Sequence, residues 1–155
     1  MRKIRIAAWI ALLIFVGFLR ENTFIYLNGL LYYKYYHLPS QINPAYLSFT
    51  NSWDYNQLYY FKWILTPAFT ILFWALQYFL LKRLFTEKKF RRWLGVFYLY
   101  LFLLSGLAFG IGMIANANQT GYKFSRIFMG ILQSPIPCMI LIPISYFQEL
   151  NKSKE

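Results

Sequence analysis

The sequence predicts an all-α integral membrane protein: one membrane domain of four transmembrane helices, with an interfacial or re-entrant segment on its outer face. Three observations carry that prediction. Of 155 residues, 59% are hydrophobic and only 14% charged, whereas a soluble domain carries about 25% charged residues. Uncharged apolar runs approach the roughly 20 residues a helix needs to cross the hydrocarbon core. The net charge of +11 is gathered at the ends of those runs, which is how cytoplasmic loops of membrane proteins look and not how a nucleic-acid groove is built.

The first span is read at about residues 4–19. Arg2, Lys3 and Arg5 precede it, and Arg20, Glu21, Asn22 and Thr23 follow it. A basic start and a short apolar run also describe a signal peptide, but Gly17-Phe18-Leu19 offers no small-x-small cleavage pattern. The reading is an uncleaved span with Arg5 snorkelling to the surface.

Residues 23–37 run from Phe24 through Leu31 to Tyr32, Tyr33, Tyr35, Tyr36 and His37. As a separate segment this is too short to cross, and its tyrosines suit the headgroup level, so it reads as interfacial or re-entrant on the outer face. Pro39 and Pro44 then open an outer loop over residues 38–60, which Trp53, Tyr55, Tyr59 and Tyr60 hold near the membrane surface.

The second span is read at residues 61–81, with Lys62 snorkelling at its outer end and Pro67 near its first turn, where a missing amide donor costs little. A cytoplasmic loop over residues 82–92 holds Lys82, Arg83, Lys88, Lys89, Arg91 and Arg92. The third span, residues 93–115, is uncharged. A polar turn over residues 116–122 leads to a fourth span at residues 125–147 and a polar tail. No acidic residue falls inside any of these spans as drawn.

Eleven of the 16 basic residues then lie on one side, and Arg20, Lys34, Lys62, Lys123 and Arg126 on the other. The richer side is cytoplasmic by the positive-inside rule. Four spans with both termini inside satisfy that count, in a bacterial inner membrane.

Several residues are candidates for contact or chemistry. Arg20, Glu21 and Asn22 cluster at the predicted outer end of the first span, where they would meet a partner or a headgroup; plain solvation at a helix end is the simpler account. Lys123 and Arg126, three apart on one helix face, suit a lipid phosphate or a pairing with Glu21 or Asp54, with interfacial anchoring as the plain alternative. Gly106 and Gly110 give the third helix a nearly bare stripe through which another helix can approach. Gln133, Ser134, Pro135 and Pro137 break the fourth span at mid-depth, as binding-site helices of transporters are broken, although packing kinks are commoner. The carbonyls freed there need the Ser134 hydroxyl, the Gln133 amide or a neighbouring helix.

Catalysis and cofactors find little footing. Cys138 and His37 are the only residues of their kinds, so a Cys/His zinc or haem site cannot be assembled within one chain. Cys138 sits deep in an apolar run and His37 in the outer segment, so a thiol-imidazole pair is not expected. No cofactor, no metal and no enzymatic activity are expected. The partners expected are membrane lipids and a membrane protein, with no nucleic acid.

The order of these features supplies a family resemblance. Leu19-Arg20-Glu21-Asn22 closing an N-terminal span, the aromatic segment with Phe24, Tyr26, Tyr32 and Tyr33, the basic loop, and the late Gln133-Ser134-Pro135 before Leu141-Ile142-Pro143 resemble the exosortase F system-associated membrane proteins. The resemblance implies a small accessory protein of Gram-negative bacteria that works beside an exosortase, a membrane-embedded sorting protease, and it transfers no catalytic residue. The rival expectation is a small transporter or lipid carrier built around the broken fourth helix.

Overall fold

In the computed structural model, residues 2–38, 45–85 and 87–152 are described. The prolines of the outer loop, Pro39 and Pro44, and the last basic residue, Lys154, lie outside that set. The regular elements among the described residues are all helices: α1 (Arg2–Tyr35), a 3-10 helix (Ala45–Ser52), α2 (Tyr55–Leu84), α3 (Lys88–Ile114), α4 (Asn118–Leu132) and α5 (Ile136–Lys152). By length and composition α1, α2 and α3 can each cross a membrane. α4 and α5, bent by 54° at a short break, make a fourth span if they are taken together.

The outside of α3 shows why this architecture suits lipid. Leu99, Phe102, Leu103, Leu107 and Ile111 are all exposed, a contiguous apolar face that a water-facing surface rarely carries. The buried residues of α3 (Phe90, Leu94, Tyr98, Leu101 and Ser105) recur at helical spacing on the opposite side.

The chain divides into two compact units, one of Met1–Ile14 with Thr70–Glu155 and one of Phe15–Phe69. The second is a helical hairpin. The later part of α1 runs antiparallel to the start of α2, with Tyr35 against Tyr55 and Phe24 against Phe69 at ring distances of 5.9 Å in both cases. Leu27, Leu30, Leu31, Leu47 and Leu58 bury one another between the two helices and the 3-10 helix, and Trp53, Phe61 and Leu65 close the cluster. Asn51 fastens the 3-10 helix to α1. Its Oδ1 accepts from the Tyr26 hydroxyl at 2.7 Å, and its carbonyl accepts from Lys34 Nζ at 3.1 Å.

In the first unit, α3 and α4 pack side by side across a three-residue turn. Asn116 takes the left-handed conformation there (φ 53°), which asparagine tolerates better than most residues. The Ala117 amide donates to the Gly112 carbonyl at 2.9 Å. A Cβ on Gly112 would lie 2.5 Å from the Gly121 Cα, and one on Gly121 would lie 2.8 Å from the Ala108 carbonyl oxygen. Backbone touches backbone, the closest helix approach that small residues permit. One turn further on, Ser105 and Ser125 share a hydroxyl contact of 2.8 Å.

Four readings from sequence need correction. α1 does not stop at Leu19: residues 23–35 continue the same helix, so they are not a separate interfacial segment. The stretch Arg20 to Thr23 holds no glycine or proline, and Arg and Glu are good helix formers. Thr23 turns its hydroxyl back to the Leu19 carbonyl at 2.7 Å. Pro67 is not in a first turn, because α2 begins twelve residues earlier at Tyr55; the carbonyl of Trp63 therefore loses its amide donor inside the helix. The turn after α3 is shorter than residues 116–122, since α4 starts at Asn118. Finally, an acidic residue does lie inside a membrane-length helix, because Glu21 is within α1.

Candidate functional site

Two places bring polar groups into otherwise apolar helices. The first is the α4–α5 break. Pro135 cannot donate to the helix, and Pro137 sits in the first turn of α5, where proline is well placed. The carbonyls released at the break are taken up one by one. Ser134 Oγ donates to the Ile131 carbonyl at 2.7 Å and accepts from the Ile136 amide at 3.3 Å. The Tyr98 hydroxyl of α3 donates to the Leu132 carbonyl at 2.8 Å. Gln77 Nε2 of α2 donates to the Ser134 carbonyl at 2.7 Å. Gln133 is buried, and its Nε2 donates to Thr70 Oγ1 at 2.9 Å.

The Ser134 hydroxyl acts as the sequence suggested. The Gln133 amide reaches across to Thr70 of α2. Gln77, Thr70 and Tyr98 were missed from the sequence, since each lies in a different span from the groups it serves. Gln77 Oε1 is buried and has no hydrogen-bond partner among the described residues. The Cys138 thiol is buried 4.0 Å from the Gln77 carbonyl.

Beside this knot an open groove of about 300 Å³ is lined by residues of α2, α3 and α4, with Trp74 and Phe102 among them, and its surface is apolar throughout. Thr70 and Tyr98 border it but turn their hydroxyls into the knot. The groove therefore suits hydrocarbon and offers no polar substrate a handle.

The second place is the Arg20–Glu21 pair. The Arg20 guanidinium lies over the Phe24 ring at 5.0 Å and approaches the Glu21 carboxyl to 4.0 Å. The Arg20 side chain is 20% exposed, that of Glu21 66%. Asn22 beside them is half-buried. Their depth follows from the hairpin. The uncharged stretch of α2 between Lys62 and Lys82 is about 28 Å long at 1.5 Å per residue, which matches the hydrocarbon layer. Phe69 is seven residues inside it and meets Phe24. Glu21 is three residues deeper on α1, so it lies about 15 Å below the level of Lys62. With α2 crossing a bilayer on this stretch, that level corresponds to the middle of the hydrocarbon layer. A charged group there is costly, about 2.5–3.5 kcal/mol for aspartate, lysine or arginine on insertion scales.

The other sequence candidates take no part in these hydrogen bonds of the break. Lys123 and Arg126 are exposed on α4, and neither has a polar or charged partner among the described residues. A Cβ at Gly106 or Gly110 would meet nothing within 4 Å among the described residues, so these two glycines make no close packing there. The tight contact belongs to Gly112 and Gly121. Sequence held a signal for it, since Ala117 at the N-cap of α4 and Gly121 and Ser125 within it are spaced by four and make a small-residue stripe of their own. Among the described residues no group of three or more His, Cys, Asp or Glu side chains is placed to hold a metal ion.

No family model matches the chain, and no curated protein and no solved structure is similar to it.

Proposed function

We propose that this protein is a non-enzymatic accessory subunit of a membrane-bound protein-sorting system of the exosortase type. In this reading it lies in a bacterial inner membrane with four spans, α4 and α5 forming one bent span, and with both termini cytoplasmic. It acts by packing against another membrane protein and presenting an outer interaction surface. The carrying observation is where the polar groups go. At the break most of them are spent on one another, Gln77 Oε1 excepted, whereas the Phe15–Phe69 unit turns Tyr32, Tyr35, Tyr36, Tyr46, Tyr55, Tyr59 and Tyr60 outward. Exposed tyrosines supply large contact area with a polar tip, a composition enriched at protein interfaces. Gly106 and Gly110 remain open to a neighbouring helix.

The test is affinity capture of the tagged protein from its native membranes in mild detergent, with partners quantified by mass spectrometry. Near-equal recovery of a sorting protease supports the reading, and recovery of the chain alone overturns it. One observation favours a second reading, a lipid carrier: the apolar groove of about 300 Å³ beside the break. That reading requires Gln133→Leu and Pro135→Ala variants, still inserted and folded, to change lipid transfer between vesicles. Unchanged transfer removes it.

A further inference from the structure

Phe18, Glu21 and Ile25 are exposed and follow one another at spacings of three and four on α1, so they share one helix face. Glu21 is the polar member, at the middle of the membrane. The 4.0 Å approach of Arg20 is an ion-pair distance and too long for a hydrogen bond, so the carboxyl oxygens still face outward. Lipid cannot answer them. Acyl chains have no donors, and headgroups lie about 15 Å away along the bilayer normal, beyond the reach of a glutamate side chain.

A second copy of this chain is a poor occupant. A two-fold interface places the same patch on both sides, which would bring one Glu21 against another. An arginine or lysine on a facing helix would instead bring charge-assisted donors to the carboxyl, and arginine can do so with two parallel bonds.

We propose that the Phe18–Glu21–Ile25 face of α1 is the docking site for a transmembrane helix of a different membrane protein, one that carries an arginine or lysine at mid-membrane depth. The existence of such a partner rests on the accessory reading; the recognition chemistry rests on Glu21.

The test uses the unaltered protein in phosphatidylcholine vesicles. Energy transfer is measured to synthetic leucine–alanine transmembrane peptides that differ only at their central residue: arginine, leucine or glutamate. Polar helix contacts in bilayers are worth about 1–2 kcal/mol, so the arginine peptide is expected to associate about 5- to 30-fold more tightly than the leucine peptide. The glutamate peptide should do no better than leucine. Glu21→Leu should erase the preference, and Glu21→Gln should keep part of it.

Equal association of the arginine and leucine peptides overturns the proposal, as does Glu21-dependent self-association in vesicles without peptide. Because the peptides are compared on the wild-type chain, a variant that fails to fold does not blur the result. If capture from native membranes recovers a partner while the peptides bind alike, the docking proposal fails and the accessory reading stands.

Discussion

The α4–α5 break and the Arg20–Glu21 stretch of α1 both bring polar groups into long apolar helices, and they handle them in opposite ways. At the break two prolines interrupt the ladder, yet Gln77, Tyr98, Gln133 and Ser134 turn inward and occupy one another's hydrogen-bonding capacity. On α1 the ladder is unbroken, yet a carboxyl points out. Disorder of the backbone is thus a poor guide to function here. A kink whose freed Ile131, Leu132 and Ser134 carbonyls each have a partner reads as structural, and the intact helix with an outward acid is where the docking proposal places a partner.

The largest effect expected in the first unit is at the α3–α4 contact. A Cβ on Gly121 would press on the Gly112 Cα at 2.6 Å, and backbone cannot retreat as a side chain can. Gly121→Leu should cost about 3 kcal/mol or more, or prevent folding. Gly106→Leu, with open space around its Cβ, should stay within about 0.5 kcal/mol. Unfolding titrations in mixed micelles measure both. A Gly106→Leu protein as damaged as Gly121→Leu would show that Gly106 already packs closely.

The break itself comes next. Tyr98→Phe leaves the buried Leu132 carbonyl without its donor and should cost about 1–2 kcal/mol. Gln77→Met should cost less, although it also removes a donor. It deletes the Oε1 that has no partner among the described residues, and so relieves a burial penalty as it creates another. If Gln77→Met proves the worse of the two in the same titrations, then Oε1 is satisfied and the knot is larger than its described bonds.

Much of this architecture can be read from the chain, and the failures are instructive. Long uncharged runs and basic flanks give the membrane helices, because both are local in sequence. Arg20 and Glu21 misled because charge was taken to mark an interface. The helix tolerates them through a ring stack on Phe24 and a neighbour ion pair, which the residue types alone do not announce. Residues 23–35 are too short to span only when separated from the rest of α1, which runs unbroken from Arg2 to Tyr35. Gly106 and Gly110 advertised a packing stripe by spacing alone, while the close contact needs two helices, with Gly112 on one and Gly121 on the other. Gln77 and Tyr98 were illegible for the same reason. Their roles are set by the level at which they meet the break, and no local pattern encodes that level.

The Arg20–Glu21 pair predicts opposite signs for its two members. Arg20→Leu forfeits the stack on Phe24, worth about 0.5–1 kcal/mol, and leaves the acid without its neighbour, which is costly in a low-dielectric medium. It should destabilise the isolated protein by about 1–2 kcal/mol. Glu21→Leu replaces an outward acid by a residue lipid accepts, so the isolated protein should be unchanged or more stable. A Glu21→Leu protein that unfolds as readily as Arg20→Leu would mean that the carboxyl works inside the chain and does not face a partner.

The smallest effect is expected at Lys123 and Arg126, and it sharpens the contrast with Glu21. Both are exposed on α4 without a polar or charged partner among the described residues. The Ser105–Ser125 contact sets α4 alongside α3, so Arg126 lies eight residues, about 12 Å, from the start of α4 at Asn118. Unlike glutamate, arginine and lysine have long stems that can return their charge to the headgroup level. The double variant Lys123→Gln/Arg126→Gln should therefore leave stability within about 0.5 kcal/mol and lower the protein's preference for anionic over zwitterionic lipid in vesicle partitioning. A loss of stability well above that figure would show that these two bases, like Glu21, require a specific partner and not the bilayer surface.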